Sequence, residues 1–489
     1  MKKNIIYILL IGTLLSCEKF LDVIPTSNIT IPTNLAEYRA LVYPITSVYG
    51  YCSSNSFGGD DLYYTDKWYR SQPVSEAERN AYIWKDVIYD MVTDPAVWNQ
   101  SYSYIYALNK VIAEVPLLID DEGAKNKVIA QAKMMRAYQY FHLVNTYGKP
   151  YQMAKDSDLS IPYIKENDVM KDALEQSTIK TIYDNILQDL DYAIEHLDMF
   201  PTVSSRFMAC KVSAVSLKAK VLFFMGKYSE ASTVIESALT LIKNNVAPDG
   251  LKYDVLDFRT AVKFIDENAP HRGLSPDFPY SSSSLTDVEN VFAANQYIYS
   301  PASGMYLGFR GFNACYVSDM TINLYDSRPG DLRRAYWLFD KNSGGLPWDS
   351  SNPGKFMKKN YGARIGVTYP ELLLMAAECQ ARENKLSKAL EYLEQVRVKR
   401  YKAANYVALN STDKNTVVKW CIEERIREFV GQGHRWWDMR RLWEDEVGSQ
   451  TIVKTRTIEG KNYTLTKERL TFRFPDKIMQ FNKVWKQND

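Results

Sequence analysis

The chain has 489 residues, 60 of them basic and 58 acidic, and a formal net charge of +2. This length supports a large buried core, and the nearly balanced charge lacks the basic surplus of a nucleic-acid-binding protein. Tyrosine is unusually frequent at 35 residues, alongside 10 tryptophans. This surplus favours recognition of neutral, flat-faced ligands such as sugars, although large helical proteins also bury many tyrosines.

The first predicted element is a short apolar run at the N-terminus. Two lysines precede the apolar segment 5–15, and Ser16-Cys17 follows it. The run is too short to cross a hydrocarbon core of ~30 Å as a stable helix and is typical of a cleaved signal peptide. A cysteine after a small residue at this point resembles a lipobox. We therefore expect removal of residues 1–16 and a mature chain lipid-anchored through Cys17 outside the cytoplasm. The alternative is an ordinary secretory signal with a chance cysteine.

Metal and disulfide motifs are not found in the sequence. The five other cysteines cannot all pair, and their spacings match no disulfide framework or CxxC metal motif. No HExxH motif is present, and the spacing of Asp60, Asp61 and Asp66 misses a calcium-binding EF-hand loop. We expect free thiols and neither a metal nor a cofactor.

Helical periodicity dominates the chain on both sides of a central segment. Apolar residues recur at three- or four-residue steps in predicted helices over 36–48, 98–115, 126–147, 178–197, 213–225, 228–244, 369–383, 387–400 and 414–428. Residues 50–80 are predicted to be loop, and the tail from residue 451 has turn and strand patterns. Proline, glycine, serine and aromatic residues dominate the centre. The predicted organisation is a helical part about 17–245, a loop-rich ligand-face segment about 246–365 and a C-terminal helical part about 366–489.

Two predicted helix pairs share a tetratricopeptide-like pattern. The first turns at Gly226 and has the small residue Ala219 in its first helix, and the second turns near Asn384 and has Ala377 at the matching place. Small residues there let two helices approach to ~8–10 Å. The pairs lie far apart in the sequence, so they form no regular tandem array. Two independent helical hairpins are the alternative.

Six segments carry motifs that point to one family. They are 17–25, 132–148, 183–197, 371–378, 424–441 and 474–488. Together they resemble, nearly end to end, the SusD/RagB family of Bacteroidetes outer-membrane lipoproteins. The most specific match is the run Gly-His-Arg-Trp-Trp-Asp from Gly433 to Asp438. One departure is Thr368, where many members carry an arginine, and it indicates a subfamily.

The resemblance implies a mainly α fold, in which tetratricopeptide-like helix pairs form a scaffold and an irregular, loop-rich segment builds the ligand face. It implies a binding protein rather than an enzyme. Such a protein is anchored in the outer membrane by lipid, is exposed at the cell surface, and covers a SusC-type TonB-dependent transporter as a lid. It captures an oligosaccharide, or sometimes a peptide, and hands it to the transporter.

Loop aromatics are the candidate ligand-binding residues. Loops present side chains on a rigid scaffold, and aromatic rings stack on sugar rings while losing little conformational entropy. The candidates are Tyr63, Tyr64, Trp68 and Tyr69 in a first aromatic cluster beside Arg70, Tyr297, Tyr299, Tyr306 and Phe309 in a second aromatic cluster, and Trp348. The alternative is that these rings pack the loops onto the body or onto the transporter.

A catalytic interpretation has weaker support. His434 beside Arg435 could form a general acid–base pair with Glu424 or Glu428. We favour a packed helix end with buried tryptophans, in which Arg435 or Arg440 pairs with glutamates. A surface glycoside hydrolase would need two carboxylates ~5–10 Å apart, whereas a peptide site would offer backbone donors and acceptors along a groove. We predict no catalytic residue.

Overall fold

The structure of the protein is a computed structural model that describes residues 32–43, 57–70, 75–92, 95–165, 174–200, 208–246, 250, 252–261, 289–292, 315–338 and 366–488. The predicted signal peptide and lipid-attached Cys17 lie outside these residues and stay predictions. The same holds for five candidate ligand-binding residues, which are Tyr297, Tyr299, Tyr306, Phe309 and Trp348.

The described part of the chain is mainly α-helical, as predicted. The helices are α1 Leu35–Val42, α2 Asp66–Tyr69, α3 Glu76–Tyr82, α4 Ala96–Glu114, α5 Glu122–Tyr147, α6 Ile179–His196, α7 Lys211–Phe224, α8 Tyr228–Asn244, α9 Phe258–Ala261, α10 Asp319–Asp326, α11 Leu332–Trp337, α12 Tyr369–Arg382, α13 Leu386–Arg397, α14 Lys414–Glu428, α15 His434–Arg441 and α16 Asp476–Phe481. The strands are β1 Leu62–Tyr64, β2 Asn290–Phe292, β3 Cys315–Val317, β4 Val367–Thr368, β5 Thr455–Ile458 and β6 Lys461–Thr464. They form antiparallel pairs β1–β3, β2–β4 and β5–β6.

Consecutive helices pack on one another and form a continuous scaffold. Helix α4 packs on α5, α5 on α6, α6 on α7 and α7 on α8, and α8 then contacts α12, which packs on α13 and α14. The hydrophobic core follows this series of contacts. Distant parts of the sequence therefore share one core.

Side-chain caps set several helix starts. The Asp121 carboxylate accepts a hydrogen bond from the Ala124 amide at 2.8 Å, so α5 begins before its predicted start at Asn126. The Asp413 carboxylate accepts from the Thr416 amide at 2.7 Å, and α14 has its predicted bounds. Each cap satisfies an amide that lacks a partner inside the helix.

The two tetratricopeptide-like pairs, α7–α8 and α12–α13, turn in the same way. Gly226 and Asn384 both have a left-handed backbone, with φ of 75° and 61°. The next amide in each turn, on Lys227 or Lys385, donates back to a carbonyl five residues earlier, at 3.1 and 2.8 Å. This is the bond expected where a left-handed residue ends a helix. The two pairs therefore turn with the same backbone geometry, as the repeat-like interpretation predicts.

Short elements depart from the sequence prediction. The predicted loop 50–80 contains β1, α2 and the start of α3, whose capping box joins Ser75 and Glu78. The loop-rich segment contains α10 and α11, and the run after Gly433 forms the separate helix α15. Elements of one or two turns have too few residues for a periodic pattern to predict them.

Candidate functional site

The first aromatic cluster lies on β1 and α2. Side chains alternate between the two faces of a strand, so Tyr63 is 38% exposed while Leu62 and Tyr64 are buried. The Tyr64 ring packs at centroid distances of 5.2 Å from Phe57 and 4.9 Å from Tyr82. Tyr64 is a core residue, and its prediction as a ligand-binding residue is wrong because its ring has no open face.

The other two members of this cluster lie in α2. Tyr69 is half-buried, and this burial raises the pKa of its hydroxyl, with a further increase from nearby Tyr463. The side chain of Trp68 lies outside the described part of the structure. Ligand contacts by Trp68 and Tyr69 therefore stay predictions. The Tyr63 side chain is more exposed than that of Tyr69.

The β5–β6 hairpin reaches this cluster through its tip. Its turn residues, Glu459 and Gly460, have positive φ values of 53° and 73°, as a tight turn between two antiparallel strands requires. The Glu459 carboxylate pairs with Arg70, and its amide donates to the Asp66 carboxylate at 2.9 Å. No site residue was predicted in this hairpin, although Gly460 marks its turn.

A cleft of about 590 Å³ lies between three parts of the chain. Its polar and aromatic lining includes Tyr63 of the first cluster and Asp66 at the start of α2, Ser318 and Asp319 at the start of α10, and Thr455, Thr457 and Glu459 of the hairpin. An aromatic ring and several hydroxyl and carboxylate groups thus face one concave surface. A few placed polar groups in a cleft of this size are typical of a ligand site.

Two aspartates fix the chain beside the cleft. Arg435 donates to both carboxylate oxygens of Asp60, at 2.5 and 3.0 Å, and Asp61 accepts from the Gly431 amide at 2.8 Å. Burial raises the pKa of Asp61 to about 6, although the Gly431 bond lowers it. In the described ranges, no group of three or more His, Cys, Asp or Glu residues is arranged to hold a metal ion.

Strand pairing connects the first aromatic cluster with β3, which follows the second aromatic cluster in the sequence. In the β1–β3 pair, Tyr63 lies opposite Tyr316 and Tyr64 lies opposite Cys315. The rings of Tyr63 and Tyr316 have centroids 6.3 Å apart. Phe309 of the second aromatic cluster shortly precedes Cys315 in the sequence. The pairing therefore places Tyr316 of β3 directly across from the exposed Tyr63 ring.

His434 lies in the scaffold rather than beside the cleft. Its ring stacks on Phe429 with centroids 4.5 Å apart, and its Nδ1 lies 3.4 Å from a carboxylate oxygen of Glu371. Glu424 and Glu428 bind Arg333, at 2.5 and 2.8 Å. The carboxylate next to His434 is thus that of Glu371, while Glu424 and Glu428 bind an arginine of the buried scaffold.

The structure confirms that the tryptophans of the same motif are buried and shows which groups two of its arginines bind. Trp436 and Trp437 are buried, as expected. Arg435 pairs with the Asp60 carboxylate, and Arg440 donates to backbone carbonyls, including that of Gly148 at 2.5 Å. Sequence spacing alone does not identify which residue, from a distant part of the chain, pairs with a given arginine.

A buried ionic cluster attaches the described central segment to α14. Arg333 binds Asp331 within that segment and Glu424 and Glu428 of α14. Burial alone would raise the pKa of Glu424, but Arg333, Arg427 and Arg397 lower it to about 2. Because these charges are removed from water, the attachment depends on their complete pairing.

A second cleft, of about 620 Å³, lies between α1, α5 and the end of α6. Arg39 lies over the Tyr43 ring there, 5.4 Å from its centroid. Among the residues that the structure describes, no candidate aromatic residue lines this cleft. The cleft beside Tyr63 is therefore the better match to the predicted ligand face.

The fold defines a class of protein in which tetratricopeptide-like helix pairs support a cleft built from short strands and connecting segments. Solved structures share this fold. A putative sugar binding protein from Bacteroides vulgatus superposes with a TM-score of 0.67 and 19% identity, over 94% of this chain and 99% of that one. A surface glycan-binding protein A from Bacteroides fluxus gives a TM-score of 0.68 and 17% identity, over the same shares.

The chain belongs to the SusD/RagB family. A family profile described as starch-binding and associating with outer membrane matches residues 19–223, and the SusD family profile matches 348–487. SusD-like protein P2 of Formosa agariphila is 27% identical over 71% of both chains, and SusD-like protein P25 of the same organism is 24% identical over 89% of both. No helix of the described residues has the length and apolar character needed to span a bilayer.

Proposed function

We propose that the protein binds an oligosaccharide at the bacterial surface and delivers it to a SusC-type TonB-dependent transporter of the outer membrane. Membership of the SusD/RagB family supports this proposal, because one matching profile is described as starch-binding. The cleft beside Tyr63 is the proposed ligand face. Capture without chemical turnover is the proposed activity.

The β1–β3 pairing is the observation that carries the proposal. It joins Tyr63 and Tyr316 across two antiparallel strands at a cleft wall that includes Tyr63 and Val317. A ligand stacked on the exposed Tyr63 ring would lie beside both strands of this pair. We propose that the second aromatic cluster, which is far away in the sequence, contributes to the same site.

The chemistry of the cleft suits a neutral, hydroxyl-rich ligand. A sugar ring would stack on Tyr63, and its hydroxyl groups would bond to polar side chains around the ring, such as Ser318 and Thr455. Aromatic rings provide contact area at low entropic cost, whereas the hydroxyl contacts provide specificity. No catalytic step is required of these residues.

Binding measurements test this assignment. Soluble protein lacking residues 1–17 would be applied to an oligosaccharide array, and the bound glycan would be titrated by calorimetry. Tyr63→Ala and Trp68→Ala should each weaken binding by about tenfold, the loss typical of an aromatic residue at the centre of an interface. Tyr106→Ala is the matched control, because Tyr106 is 43% exposed on α4 and lines neither cleft. Unchanged affinity in both test variants would reject the proposed site.

The same samples separate the alternative functions. Product formation from the bound glycan would identify a glycoside hydrolase and reject passive capture. Binding of peptides but not glycans would identify a peptide-binding lid of the same family. Each result replaces the oligosaccharide assignment while leaving the SusD/RagB fold intact.

Delivery to a transporter requires a separate test in membranes. The full-length chain should fractionate with the outer membrane and co-purify with a large β-barrel protein after mild detergent extraction. Cys17→Ala removes the proposed lipid attachment site, so this variant should leave the membrane fraction. Retention of Cys17→Ala in that fraction would contradict the proposed anchor.

A further inference from the structure

Arg456 on β5 spans the gap between the hairpin and the first aromatic segment. It is only 8% exposed and lines the cleft. Its guanidinium donates to the carbonyl of Phe57 at 2.8 Å, to that of Gly58 at 3.3 Å, and also to those of Gly59 and Tyr82. One side chain therefore holds consecutive carbonyls of the segment that leads into β1.

Two aromatic rings hold the guanidinium in place. Its central carbon lies 4.3 Å from the Tyr82 centroid and 4.1 Å from the Trp84 centroid. The indole nitrogen of Trp84 donates to the Gly58 carbonyl at 2.9 Å. The planar guanidinium of arginine can stack on aromatic rings while its N–H groups donate several hydrogen bonds. The ammonium group of lysine has no planar face and cannot do both.

Glycine at position 58 permits this close approach. A Cβ atom there would lie 2.7 Å from the Trp436 ring, closer than real Cβ contacts. The backbone can therefore pass between Trp436 and Arg456 with its carbonyls turned toward the guanidinium. A buried carbonyl that loses such a donor destabilises the segment if nothing replaces the hydrogen bond.

The tip of the hairpin makes a second attachment to the same segment. Glu459 pairs with Arg70, and its amide bonds to Asp66. The hairpin is thus fastened near Phe57 by Arg456 and near Arg70 by its tip. Tyr63 lies between these two attachment points in the sequence.

We propose that Arg456 is a positioning residue that holds segment 57–70, and with it the Tyr63 ring, in the binding-competent arrangement. The inference rests on the proposed function for its effect on ligand affinity. Its structural part, immobilisation of segment 57–70 by the hairpin, is measurable without a ligand.

Hydrogen exchange and calorimetry on the mature protein test this role with Arg456→Lys. Lysine keeps the charge but cannot reach several carbonyls at once. Amide exchange in 57–70 should become about tenfold faster, which corresponds to ~1.4 kcal/mol of local stability, while exchange in α7 and α8 stays unchanged. The affinity for the glycan identified on the array should fall by about tenfold. Uniformly faster exchange with unchanged affinity would indicate a merely structural role and overturn the proposal.

The hairpin tip provides a milder variant if Arg456→Lys does not fold. Glu459→Ala removes an exposed ion pair, so exchange in 66–70 should accelerate by about threefold and affinity should fall by about twofold. Glu444→Ala is the control, since it removes the exposed Glu444–Lys467 pair elsewhere in the C-terminal part. Equal exchange in 66–70 for Glu459→Ala and Glu444→Ala would overturn the proposal.

The hydrogen-exchange and glycan-affinity measurements distinguish failure of this inference from failure of the proposed function. Faster exchange in 57–70 together with no glycan binding by the unmodified protein would support the hairpin attachment and reject the oligosaccharide assignment. Glycan binding that Arg456→Lys leaves unchanged, with native exchange in 57–70, would support the function and reject the positioning role.

Discussion

Different forces stabilise two regions of the molecule. One region is the helix pairs α7–α8 and α12–α13, and the other is the ionic cluster around Arg333. In the helix pairs, the fully buried small residues Ala219 and Ala377 allow close packing. Around Arg333, buried carboxylates and guanidinium groups connect the central segment to α14. Apolar packing tolerates changes that keep volume, whereas a buried charge depends on its partner. The scaffold and the attachment of the ligand-face segment should therefore respond differently to mutation and pH.

Removal of Arg333 is the strongest test of this difference. Arg333→Met leaves Asp331, Glu424 and Glu428 without their shared partner, which should lower the free energy of unfolding by about 3–5 kcal/mol. Urea denaturation of the purified protein measures the loss. Arg334→Met is the neighbouring control, because Arg334 pairs with Asp326 at the surface and should change stability by less than about 1 kcal/mol. Equal losses in the two variants would contradict the importance of the buried cluster.

Acid should weaken the ionic attachment before it affects apolar packing. Folding lowers the pKa of Glu424 to about 2, so this group stabilises the protein above its unfolded pKa near 4.5 and loses that contribution as the pH falls toward 2. The full contribution is about 3 kcal/mol. Urea midpoints between pH 7 and pH 2 should fall more steeply for the unmodified protein than for Glu424→Gln. Parallel curves would contradict the assigned role of Glu424.

Overpacking tests the apolar side of the comparison. Ala377→Leu inserts a larger side chain into a site that is fully buried, and should cost about 1–3 kcal/mol. Its effect should be nearly independent of pH, unlike that of Glu424→Gln. Ala404→Leu, at an exposed position, is the size-matched control. A loss that grows sharply in acid would show that this interface also depends on charge.

The smallest expected effect comes from substitutions in the turns of the two helix pairs, at Asn384 and Gly226. Asn384 adopts a left-handed backbone that glycine accepts more readily. Asn384→Gly should stabilise the protein by about 0.5 kcal/mol, measured as a higher urea midpoint. Gly226→Ala should destabilise it, because the added Cβ would lie 2.7 Å from Gln152. A loss of stability in Asn384→Gly would show that the asparagine side chain contributes more than its backbone costs.

Long periodic elements were predictable from the sequence, and short elements were not. Helix α14 has its predicted bounds, and α4, α6 and α8 agree closely, because many apolar residues at helical spacing define each stripe. Helix α2 and strand β1 have too few residues for such a pattern, and β1 pairs with a strand from a distant segment. The candidate site was therefore predicted in part: Tyr63 lies at a cleft, whereas Tyr64 of the same run is core.

By itself, the sequence determined the helical scaffold, the two tetratricopeptide-like turns and the family, because local periodicity and short motifs carry that information. Tertiary structure alone decided which tyrosine faces the cleft and which residue each buried arginine binds. It also brought the β5–β6 hairpin and Arg456 to the first aromatic segment. The physical reason is that strand pairing and ion pairing act between residues hundreds of positions apart, where sequence spacing specifies no partner.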